Sequence, residues 1–143
     1  MTYIFKGSVF QLKSRSNSLV EVVKVEESQA KVLEYNERGC EYIVVDIFDL
    51  KEIPLSITIL KSLGFEEKEG ILIGLPYEHY WQKLVNGHVL WIVDEKGILK
   101  FATIDTDAYY GVRFSPLPYL HELQNMIGPI DVAKLFKDLK TVR

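Results

Sequence analysis

The first fifty residues alternate apolar and polar positions in short runs broken by turn-forming residues. Phe5 to Leu12 reads as a strand, and Lys13–Ser18 is a polar, turn-rich break. Leu19–Val25 is the next strand. Plain alternation places Val20, Val22 and Lys24 on one face and Leu19, Glu21, Val23 and Val25 on the other. Gln29–Tyr35 and Cys40–Val45 follow, joined by the hairpin signal Asn36-Glu37-Arg38-Gly39, whose glycine can take a positive φ. Short strands with short connections predict an antiparallel meander that curls into a small SH3-like β-barrel over residues 1–50.

The period then changes. Ser56 can cap a helix over residues 57–63, whose apolar positions are Ile59, Leu60 and Leu63; Gly64 suits its C-terminal stop. Many of its residues are β-branched, so packing must hold it. Glu66–Gly70 reads as a charged turn. Strands are predicted at 71–75, 79–84, 88–93 and 98–102, with Asn86-Gly87 as the strongest hairpin signal in the chain. Residues 104–110 are irregular, and a short strand fits 111–114. Pro118 opens a helix to Ile127 with an apolar stripe through Leu120 and Leu123, stopped by Gly128-Pro129. Asp131 caps a last helix over 132–140, with Val132, Leu135, Phe136 and Leu139 on one side. Segregated strands and helices predict an α+β fold. It divides into residues 1–50, the barrel, and 51–143, a helix with a second antiparallel sheet and two C-terminal helices that share a core with the first part.

Composition narrows the classes. A chain of 143 residues holds one domain or two small ones. No apolar run reaches membrane-spanning length, and the N-terminal residues do not read as a signal peptide. The single Cys40 excludes an internal disulfide framework and suits a cytoplasmic protein. Lys and Arg total 17 against 20 Asp and Glu, a net charge of −3 with the signs interspersed, so no segment forms a basic stripe. Nucleic-acid binding through Lys13, Arg15, Lys24 and Lys31 rests on fold analogy alone.

Candidate chemistry is sparse, and no catalytic residue, cofactor or metal is expected. His79 and His88 flank one hairpin turn with ~20 Å between them at strand spacing, too far to share an ion. Cys40 lies near Glu37 and Glu41, which raise rather than lower a thiol pKa. No nucleophile elbow or glycine-rich phosphate loop occurs. Asp105 and Asp107 share a side in an extended segment near Tyr109, a weak candidate for a cation or small molecule; a solvated, self-capping loop is the alternative. Tyr80, Trp81 and Trp91 are candidate contact residues on a sheet face, unless helices cover that face. His121, Gln124 and Asn125, at i, i+3 and i+4, form a polar row that can tie the helix to backbone carbonyls.

Two segments carry a resemblance. Ile53-Pro54-Leu55-Ser56 with Leu60, Leu63 and Gly64-Phe65 resembles an I-P-L-[ST]…L-x-x-x-G-F signature, and Tyr119 to Asn125 resembles Y-[VL]-H-x-L-Q-N. Gly7-Ser8-Val9 is similar to the G-N-x-V turn that accompanies them, with serine for asparagine. These mark an uncharacterised small-protein family frequent in Bacteroidetes genomes, their phages and mobile elements. The resemblance implies a cytosolic accessory protein and transfers no catalytic residue. The expectation is a non-enzymatic protein–protein interaction or assembly protein that binds a protein partner or itself. A nucleic-acid-binding barrel and a small-molecule or cation-binding domain are the alternatives.

Overall fold

The computed structural model describes residues 4–15, 17–72, 75–95, 97–105 and 111–141, with side chains over 4–15, 17–70, 79–94, 97–102 and 115–140. The elements run β1 (Val9–Leu12), β2 (Leu19–Glu26), β3 (Gln29–Asn36), β4 (Gly39–Asp46), a 3-10 turn (Ile47–Asp49), β5 (Leu50–Lys51), α1 (Ile57–Ser62), β6 (Glu66–Leu72), β7 (Leu75–Val85), β8 (His88–Glu95), β9 (Ile98–Asp105), β10 (Gly111–Pro116), α2 (Leu120–Ile127) and α3 (Val132–Thr141). The strands form two five-stranded antiparallel sheets, in the orders β4-β3-β2-β1-β5 and β10-β9-β8-β7-β6. The fold is mixed α+β, and the first sheet curls into a half-barrel.

The chain divides into two compact units, Met1–Pro54 with Tyr119–Arg143, and Leu55–Pro118. This differs from the expected division at residue 50, which set both C-terminal helices with the second sheet. In the structure α2 packs on β1, and α3 on β2 and β3. An amphipathic stripe states that a helix must cover an apolar face but not which sheet supplies it. Backbone contacts make the choice. Leu120 N–H donates to Ile53 O at 2.9 Å, and Pro54 bridges to Tyr119.

The first unit takes its curl from local irregularity. Pairing of β2 with β3 passes from Val22↔Val32 to Lys24↔Lys31, so Val23 is a bulge. The bulge reverses the alternation beyond it. Val25, opposite Ala30, takes Ala30's side of the sheet, though it remains 42% exposed, and Lys24 turns to the other side, the opposite of what plain alternation predicts. The inner face buries Phe10, Leu12, Val20, Val22, Ala30, Val32 and Leu50, with Ile43, Val45 and Ile47 packed against them. Asp131 caps α3, its carboxylate accepting from Lys134 N–H at 3.1 Å.

In the second unit, Ser56 Oγ accepts from Ile59 N–H at 3.3 Å to start α1. The helix ends in a Schellman pair. Gly64 N–H donates to Lys61 O at 3.1 Å and Phe65 N–H to Leu60 O at 3.0 Å, with Gly64 at φ +89°. Asn86 and Gly87 both have positive φ, as a two-residue hairpin turn requires, and Val85 faces His88 across it. Glu66–Gly70, expected as a charged turn, is the first part of β6. It is the outer strand of its sheet and its residues are exposed, a setting where charge deters further strand pairing. Leu75 begins β7 rather than ending the preceding strand. No helix among the described residues is long and apolar enough to cross a membrane.

Candidate functional site

A cavity of about 640 Å³ opens at one end of the half-barrel's inner face. The loop after β1 forms one wall through Ser14, Arg15, Asn17 and Ser18, and residues 36–41 of the β3–β4 hairpin form the other. Hydrogen bonds hold both walls. Asp49 accepts from Ser14 N–H at 3.2 Å and Ser14 Oγ at 2.8 Å, Ser18 Oγ donates to Arg15 O at 3.2 Å, and Asn36 Oδ1 accepts from Arg38 N–H at 2.9 Å.

Glu34 lies at the base. Strand periodicity forces it there: Ala30 and Val32 are the preceding inner positions of β3, and Glu34 is the next. Its side chain is 0% exposed. Arg15 Nη1 lies 3.3 Å from Oε1, and Asn36 Nδ2 donates to that same oxygen at 3.3 Å. Oε2 is buried with no hydrogen-bond partner. Glu41 sits directly opposite Glu34 on β4, a pairing of like charges that a sheet does not favour. A buried polar atom left without a partner costs about 1–3 kcal/mol, and more when charged. Such a site serves a purpose other than stability more readily than stability itself.

The candidate residues of the sequence fall in several places. Trp81, a candidate contact residue, is buried at 2% exposure, which removes it from any free surface. It shares its sheet face with Leu90 and Ile92, both buried, because Trp81 pairs with Ile92 and Lys83 with Leu90. Tyr80 and Trp91 occupy the opposite face and are partly exposed. Exposed Leu84, Val89 and Ile98 accompany them there. Asp107 and Tyr109 lie outside the described residues, as does the side chain of Asp105, whose backbone ends β9 opposite Gly111.

The polar row on α2 divides. Gln124 is buried, its Oε1 accepting from Val9 N–H at 2.9 Å and its Nε2 donating to Gly7 O at 2.8 Å. His121 is buried, stacks on Phe10 and Tyr119, and has no partner at Nδ1. Burial, the largest cause, pushes its pKa down, while Glu52 and Glu122 act the other way. Asn125 is exposed, because the buried arc of α2 centres on Leu120, Leu123 and Gln124.

His79 pairs with Glu67 at 2.8 Å, and His88 is exposed at the far end of the hairpin. No group of three His, Cys, Asp or Glu among the described residues is placed to hold a metal ion. Of the basic candidates, Lys13 is exposed in the loop after β1, Arg15 is committed to Glu34, Lys24 pairs with Glu26 at 2.6 Å, and Lys31 lies over the Tyr42 ring.

Glu34 was absent from the candidates drawn from the sequence. Its signal was present, an acidic residue at the third inward position after Ala30 and Val32, and only the curl of the sheet shows that this position closes over. No protein-family model, curated protein or solved structure matches the chain.

Proposed function

We propose that this chain is a non-enzymatic binding protein whose recognition site is the mouth of the half-barrel. The observation that carries this reading is the buried carboxylate of Glu34, left with an unpartnered oxygen at the base of a cavity. The cavity volume falls in the range of ligand sites, about 300–1,000 Å³. The hydrogen bonds that tie its walls suit recognition. The curled first sheet is the SH3-like barrel of this reading, supported by five antiparallel strands wrapped round one apolar face. A cytoplasmic accessory role, as the family resemblance implies, goes with an exposed thiol at Cys40.

The test is two-dimensional NMR of the whole chain against small cationic, neutral and anionic fragments. Saturable shifts clustered at residues 14–18 and 34–41 are expected from at least one class. Shifts confined to other residues, or none at all, overturn the reading.

A second reading, protein contact or self-assembly through the second sheet, is favoured by exposed Leu84 and Val89, a cross-strand pair, with Ile98, Tyr80 and Trp91 on the same face. Light scattering tests it. A dimer that Leu84→Lys dissociates supports it, and a monomer at all concentrations counts against self-assembly. Nucleic acid is disfavoured at the cavity, where Glu34, Glu37 and Glu41 outnumber Arg15 and Arg38 and Arg15 is already paired with Glu34.

A further inference from the structure

We infer that the cavity takes a primary ammonium group, seated on Glu34 Oε2; this deepens the reading of the cavity as a binding site and rests on it. The free oxygen belongs to a carboxylate and needs an N–H or O–H donor. A cationic donor meets both the hydrogen bond and the charge. Glu37 and Glu41 line the same cavity with Arg38, so that with Glu34 and Arg15 counted the lining carries one negative charge in excess, a modest attraction for a cation.

The geometry selects among cations. A guanidinium binds best as a fork across both carboxylate oxygens. Here Asn36 and Arg15 already occupy Oε1. An ammonium is a compact donor that one oxygen can serve. A quaternary ammonium has no N–H to give and relies on aromatic faces, and the described residues lining the cavity include no aromatic side chain. The volume leaves room for the alkyl stem that carries the amine, as in an aliphatic amine or a lysine side chain.

Arg15 is the gate. Glu34 has no exposed surface, whereas the Arg15 side chain is 53% exposed and held to Oε1 at 3.3 Å. The incoming ammonium reaches Oε2 as Arg15 swings toward solvent. Removing each partner therefore has an opposite effect. Arg15→Gln leaves Glu34 short of positive charge and tightens ammonium binding, and Glu34→Gln abolishes the seat.

The experiment titrates the whole chain with n-butylammonium, with 1-butanol as the neutral control, following amide shifts at residues 34–41 and the rate of Cys40 alkylation by iodoacetamide. Cys40 is exposed and lines the cavity, so an occupant shields it. Saturable shifts with butylammonium and slower alkylation are expected, with affinity reduced at least tenfold in Glu34→Gln and raised several-fold in Arg15→Gln. Binding of butanol as tight as that of butylammonium overturns the ammonium assignment while leaving a binding cavity. No shift from either probe, when other fragments do shift these residues, overturns the assignment alone; no shift from any fragment overturns both. Affinities that fall in both variants assign the pair to structure and overturn the gate. Nα-acetyl-lysine-methylamide and putrescine distinguish the source, the first standing for a peptide and the second for a free amine.

Discussion

Gln124 stands beside Val9 as a neighbouring strand would. Its side-chain amide accepts from Val9 N–H at 2.9 Å and donates to Gly7 O at 2.8 Å, two backbone groups spaced as i and i+2. The contact joins α2 to the start of β1, from residues 115 and 117 positions away in sequence. Gln124→Leu keeps the volume and removes both bonds. It leaves a buried donor and a part-buried acceptor unpaired; at about 1–3 kcal/mol for the first and about 1 kcal/mol for the second, which water can reach, a loss of about 2–4 kcal/mol in urea denaturation is expected. Gln124→Glu should also destabilise at neutral pH, since a carboxylate cannot donate to Gly7 O. A loss below about 0.5 kcal/mol for Gln124→Leu would show that water replaces the amide at little cost.

His121 should make the fold sensitive to mild acid. Its ring lies 5.1 Å from Phe10 and 5.9 Å from Tyr119, and burial depresses its pKa from 6.5. The unfolded chain therefore takes up the proton first. The stability that neutral His121 provides is complete above the unfolded value of 6.5 and is lost as pH falls below it toward the folded value. The slope is at most about 1.4 kcal/mol per pH unit. Glu21, whose pKa burial raises from 4.5, acts in the opposite sense in the carboxylate range. Thermal melts between pH 7.5 and 5.5 should show a falling midpoint in the wild type and a flatter one in His121→Phe. Equal slopes in the two proteins would remove His121 as the cause.

Much of this architecture is legible in local sequence. Ser56, Gly64 and Asp131 act as caps because each role depends on groups within four residues. Asn86-Gly87 turns as expected because both residues accept positive φ. What stays hidden is relational. The bulge at Val23 has no local marker, yet it decides that Val25 and not Lys24 shares the side of Ala30. Trp81 and Tyr80 alternate as any neighbours do, and only the sheet's surroundings decide which ring is covered. Glu34 is ordinary in a list of charges and exceptional once the strand beside it curls. The segments quoted for the family resemblance meet in space: Ile53 O accepts from Leu120 N–H, and Gln124 grips Gly7 and Val9. That meeting gives those residues a shared structural task.

The end of α1 predicts a coupled pair. Lys83 Nζ donates to Leu63 O at 2.8 Å, setting a positive charge at the helix C-terminus. A Cβ on Gly64 would come within 3.0 Å of that same nitrogen. Gly64→Ala meets both a left-handed φ of +89° and the lysine, and about 1–2 kcal/mol of destabilisation is expected from the backbone alone. Lys83→Met should cost about 1–2 kcal/mol by stripping the cap. The double variant should cost less than the sum, because in Gly64→Ala the lysine has already been displaced. Strict additivity in a double-mutant cycle would show that Lys83 does not respond to the new methyl group.

Glu27 offers a gain in stability. It holds φ +53° in the two-residue turn between β2 and β3, where Glu26 faces Gln29. A side chain in the left-handed region costs about 1–2 kcal/mol, and glycine escapes that cost while losing more entropy on folding. The balance favours Glu27→Gly by about 0.5–1 kcal/mol, read as a higher urea midpoint at unchanged slope. Glu27→Ala keeps the Cβ and should gain nothing. Gly39→Ala, at φ +123° in the next turn, should lose stability, so the two substitutions run in opposite directions for one reason. A Glu27→Gly protein less stable than wild type would mean that the Glu27 side chain makes a contribution larger than its backbone strain.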